Sequence, residues 1–270
     1  MGTKTKRKSK GKNRRKKKIE AKYKWIKYIK IALIIFLAVT MVRFGILMVK
    51  TSKMPETPKD KISYPVRGVD VSVYQGEIDW EKIREQGISF AYIKASEGSS
   101  HVDSRFFSNW KNADKAGLVR GAYHFMRFDT SGKAQAQNFI KQLEATKDIG
   151  KMLPPVIDVE LYGKHLKKVP SKEHLRGILS DMSSEIKDKY GVAPVIYTTR
   201  HIYSNYIDGV YKNEIWIANP ELDAKLPSGR DWLFCQYSIS GKLRGFKGES
   251  SHIDLNVYNG TKFSFVRRFR

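Results

Sequence analysis

From Arg67 onward the chain alternates short apolar runs with longer amphipathic ones, and this rhythm limits the folds open to it more than any other feature. The apolar runs are Val69–Val73, Phe90–Ala95, Val119–Phe125, Pro155–Val159, Val195–Thr198, Ile215–Ala218, Leu233–Tyr237 and Ile253–Val257, all of strand length. Helical spacing fills the gaps between the first five. It runs over Trp80–Gln86, over Phe106–Ala116 with Gly117 after it, over Ala134–Ala145, and over Lys172–Tyr190, started by Ser171 and stopped by Gly191. The last three runs are separated by loops with little helical pattern. Eight strands with helices between the first five predict an α/β fold, an irregular (β/α)8-type barrel whose closing portion departs from the repeat. An open doubly wound sheet is the competing solution, but no Gly-rich phosphate loop follows the first strand.

Composition removes several function classes. One cysteine, Cys235, leaves no internal disulfide framework and no Cys-based structural zinc site. The six histidines form no H-E-x-x-H pairing of the kind zinc hydrolases use. The net charge of +24 suggests a nucleic-acid binder until its distribution is read. Residues 1–30 hold fifteen Lys/Arg against one acid, Glu20, and the first 53 residues carry +17. The other 217 residues hold 33 basic and 26 acidic side chains, only +7. The chain is a basic tail joined to a mildly basic body.

After the tail, Ile31 to Val49 gives 19 residues with one charge, Arg43. At 1.5 Å per residue this is roughly 28 Å, the thickness of a bilayer's hydrocarbon core. Trp25 and Tyr28 precede it at the interface position, and Arg43 is close enough to Val49 to snorkel. No small-x-small cleavage pattern follows, so residues 31–49 are predicted to be an uncleaved transmembrane helix with the lipid bilayer as partner. The positive-inside rule places residues 1–30 in the cytoplasm and the body outside the cell membrane. The tail lacks interleaved aromatics before Tyr23, so no specific nucleic-acid partner is expected. Residues 50–65 read as an extended linker and residues 66–270 as the folded domain.

In a barrel, chemistry collects at the C-terminal ends of the strands. Carboxylates fall there three times: Asp70, the pair Asp158 and Glu160, and Asp254. A lone acid in such a strand is either a structural acceptor or a functional group. The pair is more telling. Positions i and i+2 share one face, and two like charges there raise the pKa of one of them unless a cation intervenes. Separated carboxyl pKa values are what acid catalysis on a glycosidic bond requires; a Mg²⁺ or Ca²⁺ site would use the same groups. Aromatics gather at the same ends: Tyr74, Tyr123, His124, Phe125, Tyr197, Trp216 and Tyr237. They are either core or, for Trp216 and Tyr123 in particular, platforms for sugar rings.

Eight stretches in order resemble glycoside hydrolase family 25, the muramidases known as Chalaropsis-type lysozymes. They are Gly68-Val-Asp-Val-Ser-Val-Tyr-Gln-Gly76, Phe90-Ala-Tyr-Ile-Lys-Ala-Ser-Glu-Gly98, Gly121-Ala-Tyr-His-Phe125, Pro155-Val-Ile-Asp-Val-Glu160, Pro194-Val-Ile-Tyr-Thr198, Ile215-Trp-Ile-Ala218, Gln236-Tyr-Ser238 and Ile253-Asp-Leu-Asn256. The resemblance implies an irregular barrel and cleavage of the β-1,4 bond between N-acetylmuramic acid and N-acetylglucosamine in peptidoglycan. It implies Glu160 as proton donor and Asp158 as the group that stabilises developing positive charge or orients the acetamido group, with Asp70 and Asp254 completing an acidic floor. Tyr74, Glu97, Tyr123, His124, Tyr197, Trp216 and Gln236 are the expected substrate contacts, and neither a metal nor an organic cofactor is implied. Two departures, Cys235 before Gln236 and the absence of a tyrosine near Asn219-Pro220, bear on the sugar subsites and not on the acids. A non-catalytic glycan-binding module on the same scaffold is the alternative, although binding alone would not need a proton donor.

Overall fold

The computed structural model describes residues 64–148, 152–223 and 225–269, part of a compact unit spanning Pro55–Arg270. The basic tail, the apolar run 31–49 and linker residues 50–63 lie outside the described residues. Among the described residues no helix is long and apolar enough to cross a membrane.

Eight strands close on themselves: β1 (Arg67–Val71), β2 (Ile88–Glu97), β3 (Val119–Phe125), β4 (Val156–Val159), β5 (Val195–Thr199), β6 (Ile215–Ala218), β7 (Phe234–Gly241) and β8 (Ile253–Tyr258). The first seven run parallel in chain order, and β8 is antiparallel to both neighbours, β7 and β1. The predicted barrel is therefore present with all eight strands at the expected places. The first strand ends two residues early because Ser72 leaves the ladder. Its side chain accepts from Tyr74 N and its backbone N–H donates to Gln75 Oε1, a capping box that turns Val73–Gln75 into a 3₁₀ helix.

Four helices cover the first strands: α1 (Trp80–Glu85), α2 (Phe106–Lys115), α3 (Gly132–Ala145) and α4 (Lys172–Tyr190). Side chains cap three of them, Asp79 onto Lys82 N, Ser131 onto Ala134 N and Ser171 onto His174 N. Gly191, in the left-handed region at φ 72°, ends α4. The β5–β6 link holds only a short helix, Arg200–Ile202, and a π turn at Tyr203–Ile207, less than the full βα unit that the first five strands suggest. A last helix, α5 (Lys262–Phe269), was not among the predicted elements.

Strand alternation divides the core in two. Outward residues such as Val69, Ile93, Ala122 and Ile157 pack under the helices. Inward residues, including Phe90, Tyr92, Trp216, Phe234 and Tyr258, fill the barrel, with Phe265 and Phe269 of α5 against them. The interior accepts rings this large because glycines stand beside them. Gly68 is level with Phe90 and Gly121 with Tyr92 on adjacent strands. A Cβ on Gly121 would lie 2.3 Å from the Tyr92 ring and 2.9 Å from Leu153 Cβ. Gly121→Ala should accordingly lower the free energy of unfolding by about 1–3 kcal/mol, read by urea titration; an unchanged midpoint would mean the interior is loosely packed.

Candidate active site

The mouth at the C-terminal ends of β1–β7 opens into a cleft of about 460 Å³. Because β8 runs backward, its first residues lie at this mouth, and Asp254 sits level with Asp70. Register also aligns Phe125, Asp158, Tyr197 and Trp216 across β3–β6. Nine of the eleven candidate residues line the cleft: Asp70, Tyr74, Tyr123, Asp158, Glu160, Tyr197, Trp216, Gln236 and Asp254.

Two amides organise the acids. Gln236 Nε2 donates to Asp70 Oδ2 at 3.0 Å and to Asp254 Oδ2 at 3.2 Å, and its Oε1 accepts from the Tyr197 hydroxyl at 2.8 Å. Asn256 Nδ2 donates to Asp70 Oδ2 at 2.7 Å, while its Oδ1 accepts from Trp216 Nε1 at 2.8 Å. Both amide orientations are fixed by their partners. Asp70 and Asp254 stand level on adjacent strands, so the charge of Asp70 bears directly on Asp254 and favours a proton there.

Every one of the four acids holds its proton more tightly than a free carboxyl. For Asp70 burial dominates, offset by the Asn256 and Gln236 donors. Burial, then the Asp70 and Glu160 charges, push Asp254 up to about 8. Asp158 is raised by burial and by Glu160, and Glu160 by burial and by Asp70; Lys94 opposes the shift in both. Asp158 Oδ1 is buried with no hydrogen-bond partner, an open acceptor.

Lys94 is the residue that the sequence reading passed over. It is the cation among the cleft-lining residues, held by Glu97 Oε2 at 2.8 Å and lying over the Phe125 ring at 4.9 Å. The signal was a lone charge two residues after Tyr92 in an otherwise apolar strand, hence facing inward. Asn256, two residues after Asp254, could have been found by the same count.

Two expected substrate contacts lie elsewhere. His124 alternates with Tyr123 and Phe125, so it points out of the barrel toward α3. Gln135 donates from Nε2 to two carbonyls, leaving its Oε1 to accept from His124 Nε2 at 3.2 Å, and His124 Nδ1 accepts from the Ser96 hydroxyl at 2.8 Å. Burial lowers its pKa to about 4 and keeps it a neutral structural link. Glu97 stays outside the cleft, bound by Lys94 and Arg127. Its partial burial opposes ionisation, yet those two cations hold its pKa below the usual glutamate range.

The aromatics divide similarly. Trp216 is 2% exposed and stacks on Tyr92 at 4.8 Å, so it is floor and core rather than platform. Tyr74 is 57% exposed on the 3₁₀ turn at the rim. That turn is fixed by Asp103 Oδ2, which accepts from Val73 N at 2.8 Å, and by Ser250 N, which donates to Tyr74 O at 2.9 Å. Gly76, at φ 64°, permits the contact, since a Cβ there would meet Lys247 O at 2.1 Å. Among the described residues no three His, Cys, Asp or Glu side chains are grouped to hold a metal ion.

A barrel whose mouth gathers carboxyls of raised proton affinity around an open groove has the make-up of an acid-catalysing hydrolase. Residues 69–246 match the sequence profile of Glycosyl hydrolases family 25. Lysozyme M1 of Streptomyces globisporus is 36% identical over 211 residues, covering 73% of this chain and 68% of that protein. Among solved structures, a family 25 glycosyl hydrolase from Bacillus anthracis superposes with a TM-score of 0.68 at 40% identity, over 76% of this chain and 93% of the other. A bacterial lysozyme from Streptomyces coelicolor gives 0.64 at 35% identity, over 74% and 94%. The chain belongs to glycosyl hydrolases family 25 and is a glycoside hydrolase.

The shared protons set the sign of a stability effect. Asp254 binds its proton more tightly folded than unfolded, so its contribution is fully present below about pH 4 and is lost as pH rises toward 8. Asp254→Asn keeps the shape and removes the repulsion. Thermal melts should show a Tm about 2–6 °C higher than wild type at pH 8 and a flatter pH dependence between 4 and 8. Coincident melting curves at pH 8 would mean Asp254 carries no extra proton.

Proposed function

We propose that the protein is a membrane-anchored peptidoglycan hydrolase, cutting the β-1,4 bond between N-acetylmuramic acid and N-acetylglucosamine by carboxylate acid catalysis. The observation that carries the reading is the pair Asp158 and Glu160 beside an open, acid-lined cleft, in a chain related to a lysozyme. The glycan lies across the mouth with Tyr74 at its rim.

Glu160 follows the end of β4 and faces the groove, where it can reach a leaving oxygen. Asp158 is deeper. The two carboxyls retain a proton at a pH where separate carboxyls would have lost it. An amide N–H of an N-acetyl sugar, donated to the open Asp158 Oδ1, favours charge on Asp158 and leaves the proton on Glu160. The same contact orients the acetamido group, and ionised Asp158 then faces the positive charge that develops at the anomeric carbon. Lys94 limits the rise in both pKa values, so the donor can also release its proton.

The basic tail and the apolar run 31–49 support anchoring, with residues 1–30 cytoplasmic and the body facing the wall. Protease added to intact wall-less cells should remove the body; a protected body with an accessible tail would overturn this topology.

Release of reducing ends from purified peptidoglycan by the full chain in detergent tests the chemistry. Glu160→Gln should lower turnover at least 10²-fold while glycan binding persists, because the amide cannot deliver a proton. More than about a tenth of wild-type turnover in that variant would remove Glu160 as the acid. The pH profile should be bell-shaped with an optimum in the region of about pH 4–7, its alkaline limb reporting proton loss from the raised carboxyls. Asp158→Asn removes the deeper carboxyl and should move that limb to lower pH alongside a large fall in rate; a limb that stays put would show that Asp158 does not set the donor's pKa.

A further inference from the structure

The end of the barrel opposite the cleft has its own chemistry. The chain enters the body there, Tyr64 packing on Trp232 with ring centroids 5.1 Å apart, and Val66 O accepting from Tyr258 N at the end of β8. Immediately after β8 comes α5, whose buried side, Phe265 and Phe269, stops the barrel. Its outer side mixes exposed apolar and cationic side chains. Phe263 is 75% exposed and Val266 47% exposed, flanked by the exposed cations Lys262 and Arg267. Arg268 is taken up by Glu214, whereas Arg84, Lys262 and Arg267 make no ion pair with another described residue. A groove of about 250 Å³ runs between α5 and the starts of β1 and β2, with Val66, Ile88, Phe265 and Val266 as apolar floor and Arg84 and Lys262 at its rim.

We infer that this end of the barrel is a lipid-docking face, on which Phe263 and Val266 enter the interfacial region of an anionic bilayer while Arg84, Lys262 and Arg267 meet headgroup phosphates. The inference rests on the anchored reading above. Exposed aromatic and aliphatic side chains alternating with basic ones on a short helix are what an interfacial helix presents to anionic lipid. Charge complementarity selects the partner, since Arg84 and Lys262 line the groove and no acid does, the exposed Glu81 and Glu85 of α1 standing outside that lining. Chain length agrees. Fourteen residues separate Val49 from Tyr64, and at 3.3–3.6 Å each they span at most about 50 Å, so a bilayer holding residues 31–49 is within reach of the face at which the chain enters. Docking by this end leaves the cleft, at the opposite end, directed away from the lipid.

The test uses the full chain in vesicles of phosphatidylglycerol or of phosphatidylcholine. A Phe263→Cys variant takes an environment-sensitive fluorophore at the new thiol, Cys235 being buried; Ile239→Cys, 73% exposed on the β7 extension by the cleft, is the control. In phosphatidylglycerol the label at 263 should shift to the blue and be quenched by brominated acyl chains, while the label at 239 stays water-like. Adding Lys262→Gln and Arg267→Gln should lower the docked-to-free ratio at 263 about 25-fold, with unchanged hydrolysis of soluble glycan fragments. A water-like label at 263 in phosphatidylglycerol overturns the proposal, and so does a lipid-independent shift that grows with protein concentration, which assigns the face to a second copy of the chain. Co-flotation with phosphatidylcholine vesicles reads the apolar run by itself. Its loss overturns the anchor, and the 263 label in phosphatidylglycerol still decides the docking face.

Discussion

Four carboxyls share one mouth, and the repulsion among them is the constraint to which the surrounding structure answers. In a buried setting each charge is costly, and one cation, Lys94, cannot neutralise four acids. The fold meets this with two amides and retained protons. Gln236 bridges Asp70 and Asp254, Asn256 adds a second donor to Asp70, and burial with the Asp70 charge keeps a proton on Asp254. The amides are in turn oriented by Tyr197 and Trp216, so the aromatic floor positions the acids as well as filling space. A site arranged in this way stores protons near neutrality, which is the property an acid catalyst needs.

That arrangement depends on the direction of one strand. Had β8 run parallel, its first residues would have lain at the far end, and Asp254 could not sit level with Asp70. Reversal also determines how the other end is closed. The strand finishes beside Val66, and α5 follows directly to set Phe265 and Phe269 against the interior rings. The acidic mouth and the aromatic plug are thus two consequences of a single antiparallel pairing.

Much of this was legible in the sequence for identifiable reasons. All eight barrel strands are apolar runs bounded by caps, glycines or prolines, and nine of the eleven candidate residues sit on inward positions or rim turns. His124 adjoins the inward Tyr123 and Phe125 in the chain, but strand alternation sends it outward to Gln135. Glu97 lies at the end of a strand that runs beyond its apolar stretch, and pairing to Arg127, some thirty residues away, draws it off the cleft. The helix α5 was hidden because Lys-Phe-Ser-Phe-Val-Arg-Arg-Phe lacks a helix former's composition, and its rings earn their burial only once the barrel interior exists. The direction of β8 is a tertiary outcome, which no local periodicity encodes.

Separation of the two ends follows from the same topology. In a repeating barrel each loop after a strand reaches the mouth and each loop before a strand reaches the base, so residues serving one end leave the other free to change. Here the approach to β1 and the end of β8 meet at the base, Val66 O accepting from Tyr258 N. Exposed Phe263 and Val266 therefore cost the cleft nothing, and the carboxyl cluster places no demand on α5. Base and mouth are coupled instead through the column of rings between them. Phe265 touches Phe90, Phe90 touches Tyr92, Tyr92 stacks on Trp216, and Trp216 donates to Asn256, which holds Asp70. Because these rings are close-packed, with Gly68 and Gly121 making the room, the column acts as a rigid strut. It holds the proton-retaining acids at a fixed height above the base.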